Sequence, residues 1–163
     1  MRSATEPELR ASFINCSKGE AQRLAMPPDL AARPWADLDF IGWVDPRAPD
    51  RNYLVTERDG ELVGIVLRAA AREGARRPGL CVVCLTPHPA GGIRLMTAAK
   101  AGPAGRQGNS VGTLVCADLC CSLYVRGRMK PAVGARLSES ATLEEQIERT
   151  RSNLFAFLDS VAS

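Results

Sequence analysis

The side chains best suited to chemistry in this 163-residue chain are its six cysteines, five of which fall in two short groups. Cys81-Val-Val-Cys84 sets two thiols on one tight turn, so both can bind a single ion without closing a long loop. The second group lies downstream, in Val115-Cys-Ala-Asp-Leu-Cys-Cys-Ser122. Zinc takes four soft or borderline ligands in a tetrahedron, so one such knuckle requires a second pair, which Cys116 with Cys120 or Cys121 can supply. Adjacent residues cannot both point comfortably at one metal. Local geometry leaves the choice between Cys120 and Cys121 open.

Other uses of these residues fit less well. A redox Cys-x-x-Cys normally opens a helix after a strand, whereas Pro87, Pro89, Gly91 and Gly92 follow this pair and prevent a long helix. Cys16 stands apart and reads as a free buried thiol. A redox sensor built on the vicinal Cys120 and Cys121 would need a thiolate that zinc does not already hold. His88, the single histidine, sits between two prolines and is expected in an exposed loop, with replacement of one cysteine ligand as the lesser alternative. A Ser-His-Asp or Cys-His set would have to recruit that same residue. Four thiolates also fill the coordination sphere of zinc and leave no position for a water nucleophile. The metal, one Zn2+ ion, is therefore expected to be structural, and the chain is not expected to be an enzyme or to take a small-molecule substrate. The Gly-rich run over residues 102–108 lacks the Lys-Ser/Thr ending of a phosphate loop. It is expected to be a flexible loop tip carrying Arg106.

These residues need elements to position them. Between the cysteine groups, a strand over residues 93–99, the Gly-rich loop and a strand over 111–115 form a β-hairpin, and a short helix over 119–125 ends at Gly127. Knuckle, hairpin and ligand-bearing helix in that order make a treble-clef zinc finger. Upstream, a strand over 40–44 is stopped by Asp45-Pro46, and apolar runs over 53–56 and 62–67 flank Arg58-Asp-Gly-Glu61. Asp-Gly between apolar runs favours a hairpin because both turn residues can take positive φ. Residues 69–79, rich in Arg, Ala and Gly, read as an exposed connection. Two short helices are expected over residues 7–26, the second with Ser17 and Glu20 as a capping box. Thr142 and Glu145 form another, opening a C-terminal helix whose Leu143, Ile147, Leu154, Phe157 or Leu158, and Val161 recur at helical spacing. The expected fold is α+β: an antiparallel β-sheet with flanking helices around a treble-clef zinc finger. Residues 1–30 form a short helical segment and 31–163 the zinc-finger domain, packed as one compact unit.

Composition agrees with a metal-stapled domain. Gly and Pro number 14 and 11, so elements are short and turns frequent, and a metal fixes such turns. The first residues mix charges without an apolar core, and no run approaches the roughly 18 apolar residues of a membrane span. A cytoplasmic protein with no membrane partner is expected, its cysteines acting as ligands or free thiols rather than disulfides. The net charge of +3 hides an asymmetry: residues 62–136 hold eleven Lys or Arg against two acids, Glu73 and Asp118. A basic middle between acidic flanks suits an acidic or phosphate-bearing partner.

The run CVVCLTPHPAGGIRLMTAAKAGPAGRQGNSVGTLVCADLCCSLYVRG, residues 81–127, resembles the treble-clef zinc-finger domain of the elongation factor G-binding proteins, the family of the FusB-type fusidic acid resistance proteins. The resemblance rests on Cys-x-x-Cys, the Leu95-Met-Thr97 strand, the Gly108-Asn109 loop and Cys-x-Asp-Leu before Cys-Ser, and it extends over roughly residues 10–161. It implies that the last ligand is the cysteine directly before Ser, which selects Cys121 and gives a zinc site of Cys81, Cys84, Cys116 and Cys121. It also implies a binding protein that grips elongation factor G and, in resistance members, releases it from ribosomes stalled by fusidic acid. Partner contacts carried over by position are Met96, Arg106 and Phe155, with core packing as the alternative for Met96 and Phe155. The resistance proteins place a sizeable helical bundle before the finger, where this chain has room for short helices alone, and its finger loop lacks aromatics. A general interaction with elongation factor G is therefore expected ahead of drug resistance. A ribosome- or RNA-binding finger is the alternative, weakened by the lack of stacking aromatics beyond Tyr124.

Overall fold

The computed structural model describes residues 1–70, 77–131 and 139–163. Two short helices, α1 (Glu6–Ala11) and α2 (Lys18–Arg23), lead through two single-turn 3-10 segments into three strands, β1 (Phe40–Asp45), β2 (Ala48–Arg58) and β3 (Glu61–Ala69). Then come a two-stranded ribbon of β4 (Gly79–Leu80) and β5 (Pro87–His88), the hairpin β6 (Ile93–Ala99) and β7 (Ser110–Cys116) joined through α3 (Gly102–Arg106), and helices α4 (Cys121–Val125) and α5 (Leu143–Ala162). The five long strands form one antiparallel sheet in the order β1-β2-β3-β6-β7. The architecture is α+β, as its sequence patterning requires.

Local chemistry accounts for most of these boundaries. Asp59 and Gly60 take φ of 53° and 84°, the left-handed pair that a tight β2–β3 turn needs. Thr5, Ser17 and Thr142 each form a capping box with a glutamate three residues on, so α1, α2 and α5 start with orphan N–H groups satisfied. Two elements differ from expectation. Pro46 does end β1, but the chain turns straight back, and β2 begins at Ala48, passing through Pro49 next to a register shift at Val44/Asp45. A proline that donates no ladder hydrogen bond is tolerated at such an irregular strand end. The Gly-rich tip of the finger hairpin is a helical turn, α3, because Gly102 takes φ of 67° and Pro103 is pre-set for the first turn. Most of the connection expected over 69–79 lies outside the described residues.

The two faces of the sheet carry different covers. On the inner face, Leu54, Ile65, Leu67, Met96, Ala98 and Val115 pack with the cysteines and with Leu154, Leu158 and Val161 of α5. On the outer face, Ile41, Trp43, Tyr53 and Val55 pack with Leu9 and Leu24 of the N-terminal segment. Phe13 bridges to Gly64, where a Cβ would approach Ser12 Oγ to 2.6 Å, so glycine permits this close seating. Asn15 extends the seam, donating to the Val66 and Ala99 carbonyls and accepting from Val66 N–H. The N-terminal segment thus covers the β1–β3 half of the outer face. Among the described residues, no element packs over Leu95 and Leu114 on the β6–β7 half of that face.

Candidate metal centre

Both knuckles are tight turns held open by one residue in the left-handed region. Leu85 N–H donates to the Cys81 carbonyl and Leu119 N–H to that of Cys116, each at 2.9 Å, with φ of 56° at Leu85 and 58° at Leu119. A leucine in that region costs about 1–2 kcal/mol, which the surrounding structure must offset. Asn153 of α5 clamps the first knuckle, its amide donating to the Val82 and Val83 carbonyls. The second is tied to the residue just before β1: Asp39 N–H donates to Ser122 Oγ, and Arg126 forks onto the Asp39 carboxylate at 2.6 and 2.9 Å.

These turns bring the sulfurs of Cys81, Cys84, Cys116 and Cys121 within 4.8 Å of one another, all buried. The Cys81–Cys121 and Cys84–Cys116 sulfurs are 3.7 and 3.5 Å apart. A tetrahedral zinc with Zn–S bonds near 2.3 Å separates its ligands by about 3.8 Å, so the donor set fits that ion in both type and spacing. Without metal, burial and the neighbouring sulfurs push the Cys121 thiol up, while hydrogen bonds from Cys116, Cys121 and Cys84 pull Cys81 down. Thiols ligate zinc only as thiolates, so metal binding here must release protons.

Cys121 is the first residue of α4, and Cys120 is the N-cap before it. The Cys120 thiol turns away from the cluster, with its sulfur 3.4 Å from the Asp118 carbonyl. Burial and then the Asp118 charge push that thiol up to about 11, the reverse of what a reactive sensor needs. Cys16 is likewise raised, by burial first and Glu20 second. His88 departs from expectation: it is 6% exposed, with Nε2 3.3 Å from the Cys116 sulfur and its ring edge-on to Tyr124. Pairing of β5 with β4 draws this segment into the core, which its prolines gave no reason to expect.

The three residues carried over as partner contacts do not share a surface. Met96 is wholly buried on the inner face and is a core residue, which removes it as a contact. Strand alternation sends its neighbour Leu95 to the outer face instead, 44% exposed. Arg106 is exposed at the end of α3. Phe155 lies half-buried on α5, on the inner side of the sheet, with the guanidinium carbons of Arg58 and Arg151 5.1 and 5.9 Å from its ring centroid.

A knuckle, a β-hairpin and a helix carrying the last of four clustered cysteines define a treble-clef zinc finger, with one structural zinc held by an all-sulfur site. The chain belongs to the FBP C-terminal treble-clef zinc-finger family, whose model matches residues 8–161. No curated protein and no solved structure is found to match it. The family match spans the N-terminal helices as well as the finger, in keeping with their shared packing on one sheet. Among the described residues, no helix is long and apolar enough to cross a membrane.

Proposed function

We propose that this protein is a non-catalytic, cytoplasmic zinc module that binds elongation factor G through the bare half of its outer sheet face. The observation that carries this is the pair Leu95 and Leu114, cross-strand neighbours that are 44% and 46% exposed. Val82, 51% exposed, extends the apolar surface at the sheet edge, where its N–H donates to the Leu114 carbonyl at 2.8 Å. Single exposed leucines are ordinary, but a paired set on a metal-braced hairpin is a rigid apolar surface of the kind that partners bury. Family membership supports this choice of partner, by resemblance to the elongation factor G-binding proteins. The RNA alternative is weaker, because Arg68, Arg126 and Arg128 of the basic middle pair with Asp50, Asp39 and Asp37.

The test is a binding measurement with purified, RNA-free elongation factor G at moderate salt. A complex is expected, and Leu95→Glu or Leu114→Glu should weaken it at least about tenfold, the loss of one anchor of roughly 1.4 kcal/mol. Zinc content and Tm should stay unchanged. Failure of the wild-type protein to bind would overturn the proposal, and binding to ribosomal RNA that falls steeply with salt would favour the alternative.

A further inference from the structure

Four thiolates on one zinc carry a net negative charge, and all four of these cysteines are buried. A buried charge is costly unless donors compensate it. Among the described residues, three donors reach this cluster, each to a different sulfur. Cys84 N–H donates to the Cys81 sulfur at 3.4 Å. Thr86 Oγ1 lies 3.3 Å from the Cys84 sulfur, and towards a metal-bound thiolate, which can accept but not donate, its hydroxyl must be the donor. The same logic fixes His88: Nε2, 3.3 Å from the Cys116 sulfur, must carry the proton.

The imidazole sits in a slot built for it. Its ring meets Tyr124 edge-on at 4.7 Å and 87°, and Tyr124 is anchored by its hydroxyl donating to Asp118 Oδ2 at 2.7 Å. Gly92 flanks the ring, and a Cβ there would come within 2.6 Å of His88 Cβ and 3.0 Å of Nδ1. Thr86 is as enclosed as His88, and its carbonyl accepts from Cys81 N–H at 3.0 Å. Both donors come from the short segment directly after the first knuckle. One stretch of chain thus provides two ligands and compensates both of its own sulfurs and one of the second knuckle's.

We propose that Thr86 and His88 are charge-compensating positioning residues of the zinc centre, which make the Cys84 and Cys116 thiolates weaker nucleophiles and slow the loss of metal. A hydrogen bond to a thiolate lowers the energy of its lone pair. Removing the bond therefore leaves a sulfur that reacts faster with electrophiles and transfers charge to a metal more readily. The proposal rests on the zinc centre and is independent of the partner.

The experiment uses the full chain loaded with zinc or with cobalt(II), and the variants Thr86→Val, Thr86→Ser, His88→Phe and His88→Gln. Thr86→Val and His88→Phe should give up zinc to a chromogenic chelator about tenfold faster or more, as loss of an outer-shell partner generally does. They should be alkylated faster by N-ethylmaleimide, and their sulfur-to-cobalt charge-transfer band should move to lower energy. Thr86→Ser and His88→Gln keep a donor and should stay near wild type in all three. If His88→Phe fails to take up metal, the Thr86 pair still decides. Folded Val and Phe variants with wild-type release rates and an unmoved band would overturn the proposal, as would Ser and Gln variants as impaired as Val and Phe.

Discussion

Gly42 is where the sheet and the metal centre press most closely on each other. It lies on β1 with its α-carbon facing the inner side, and a Cβ there would stand 2.9 Å from Leu119 Cδ1, 3.1 Å from Cγ and closer still to Leu119 Cβ. The tip of Leu119 could rotate away, but its Cβ is fixed to the backbone of the second knuckle, already at φ of 58° between Cys116 and Cys121. Gly42→Ala must therefore shift either β1 or the knuckle. Overpacking typically costs about 1–3 kcal/mol, and a clash against an immobile atom belongs at the upper end. At about 2–4 °C per kcal/mol for a chain of this length, Tm of the zinc-loaded protein should fall by roughly 6–12 °C. If the knuckle yields, the same strain appears as weaker metal binding, about tenfold for each 1.4 kcal/mol. Calorimetric melting of the holoprotein and competition with a zinc chelator read the two quantities separately. Leu119→Gly removes the opposing Cβ and suits the left-handed backbone, so in the double variant the two changes should couple favourably by roughly 0.5–3 kcal/mol. A Gly42→Ala melting point within about 1 °C of wild type, or strictly additive losses in the cycle, would refute the claim that this contact braces the knuckle.

Three further outcomes are expected. Cys121→Ser should lose zinc while Cys120→Ser keeps one zinc per chain, checked by metal analysis after gel filtration, because only the former sulfur joins the cluster. Asp39→Ala should destabilise by about 3 kcal/mol in denaturant unfolding, since it strands the largely enclosed Arg126 guanidinium at the C-cap of α4. The Thr5 backbone N–H and hydroxyl and then Arg2 hold the Glu8 carboxyl down to about 2. Its folded pKa is thus below the unfolded value of 4.5, so the capping contribution is present above pH 4.5 and is lost as pH falls towards 2. NMR titration of the Glu8 carboxyl carbon checks this, and a midpoint near 4.5 would contradict it.

What the sequence determined by itself is the part governed by local rules. The Asp59-Gly60 turn, the capping boxes at Ser17 and Thr142 and the β6–β7 hairpin follow from residue types at fixed spacing, and so do the two knuckles, because backbone sterics and side-chain caps act over a few residues. The choice of Cys121 over Cys120 needed either the family pattern or the helix start that turns adjacent thiols apart. Tertiary structure alone decided which face of β6 is covered. Ile93, Leu95, Met96 and Ala98 put apolar side chains on both faces, so alternation could not say whether Leu95 or Met96 meets solvent. That is settled by α5 on one side and by an N-terminal segment that stops short on the other. Nor could spacing reveal His88 beside the Cys116 sulfur. Its place depends on β5 pairing with β4 and on Tyr124 arriving from a helix far along the chain, and contacts of that range leave no periodic trace in sequence. The cysteine types and spacing named the metal; packing of distant elements decided what surrounds it and which surface it holds rigid.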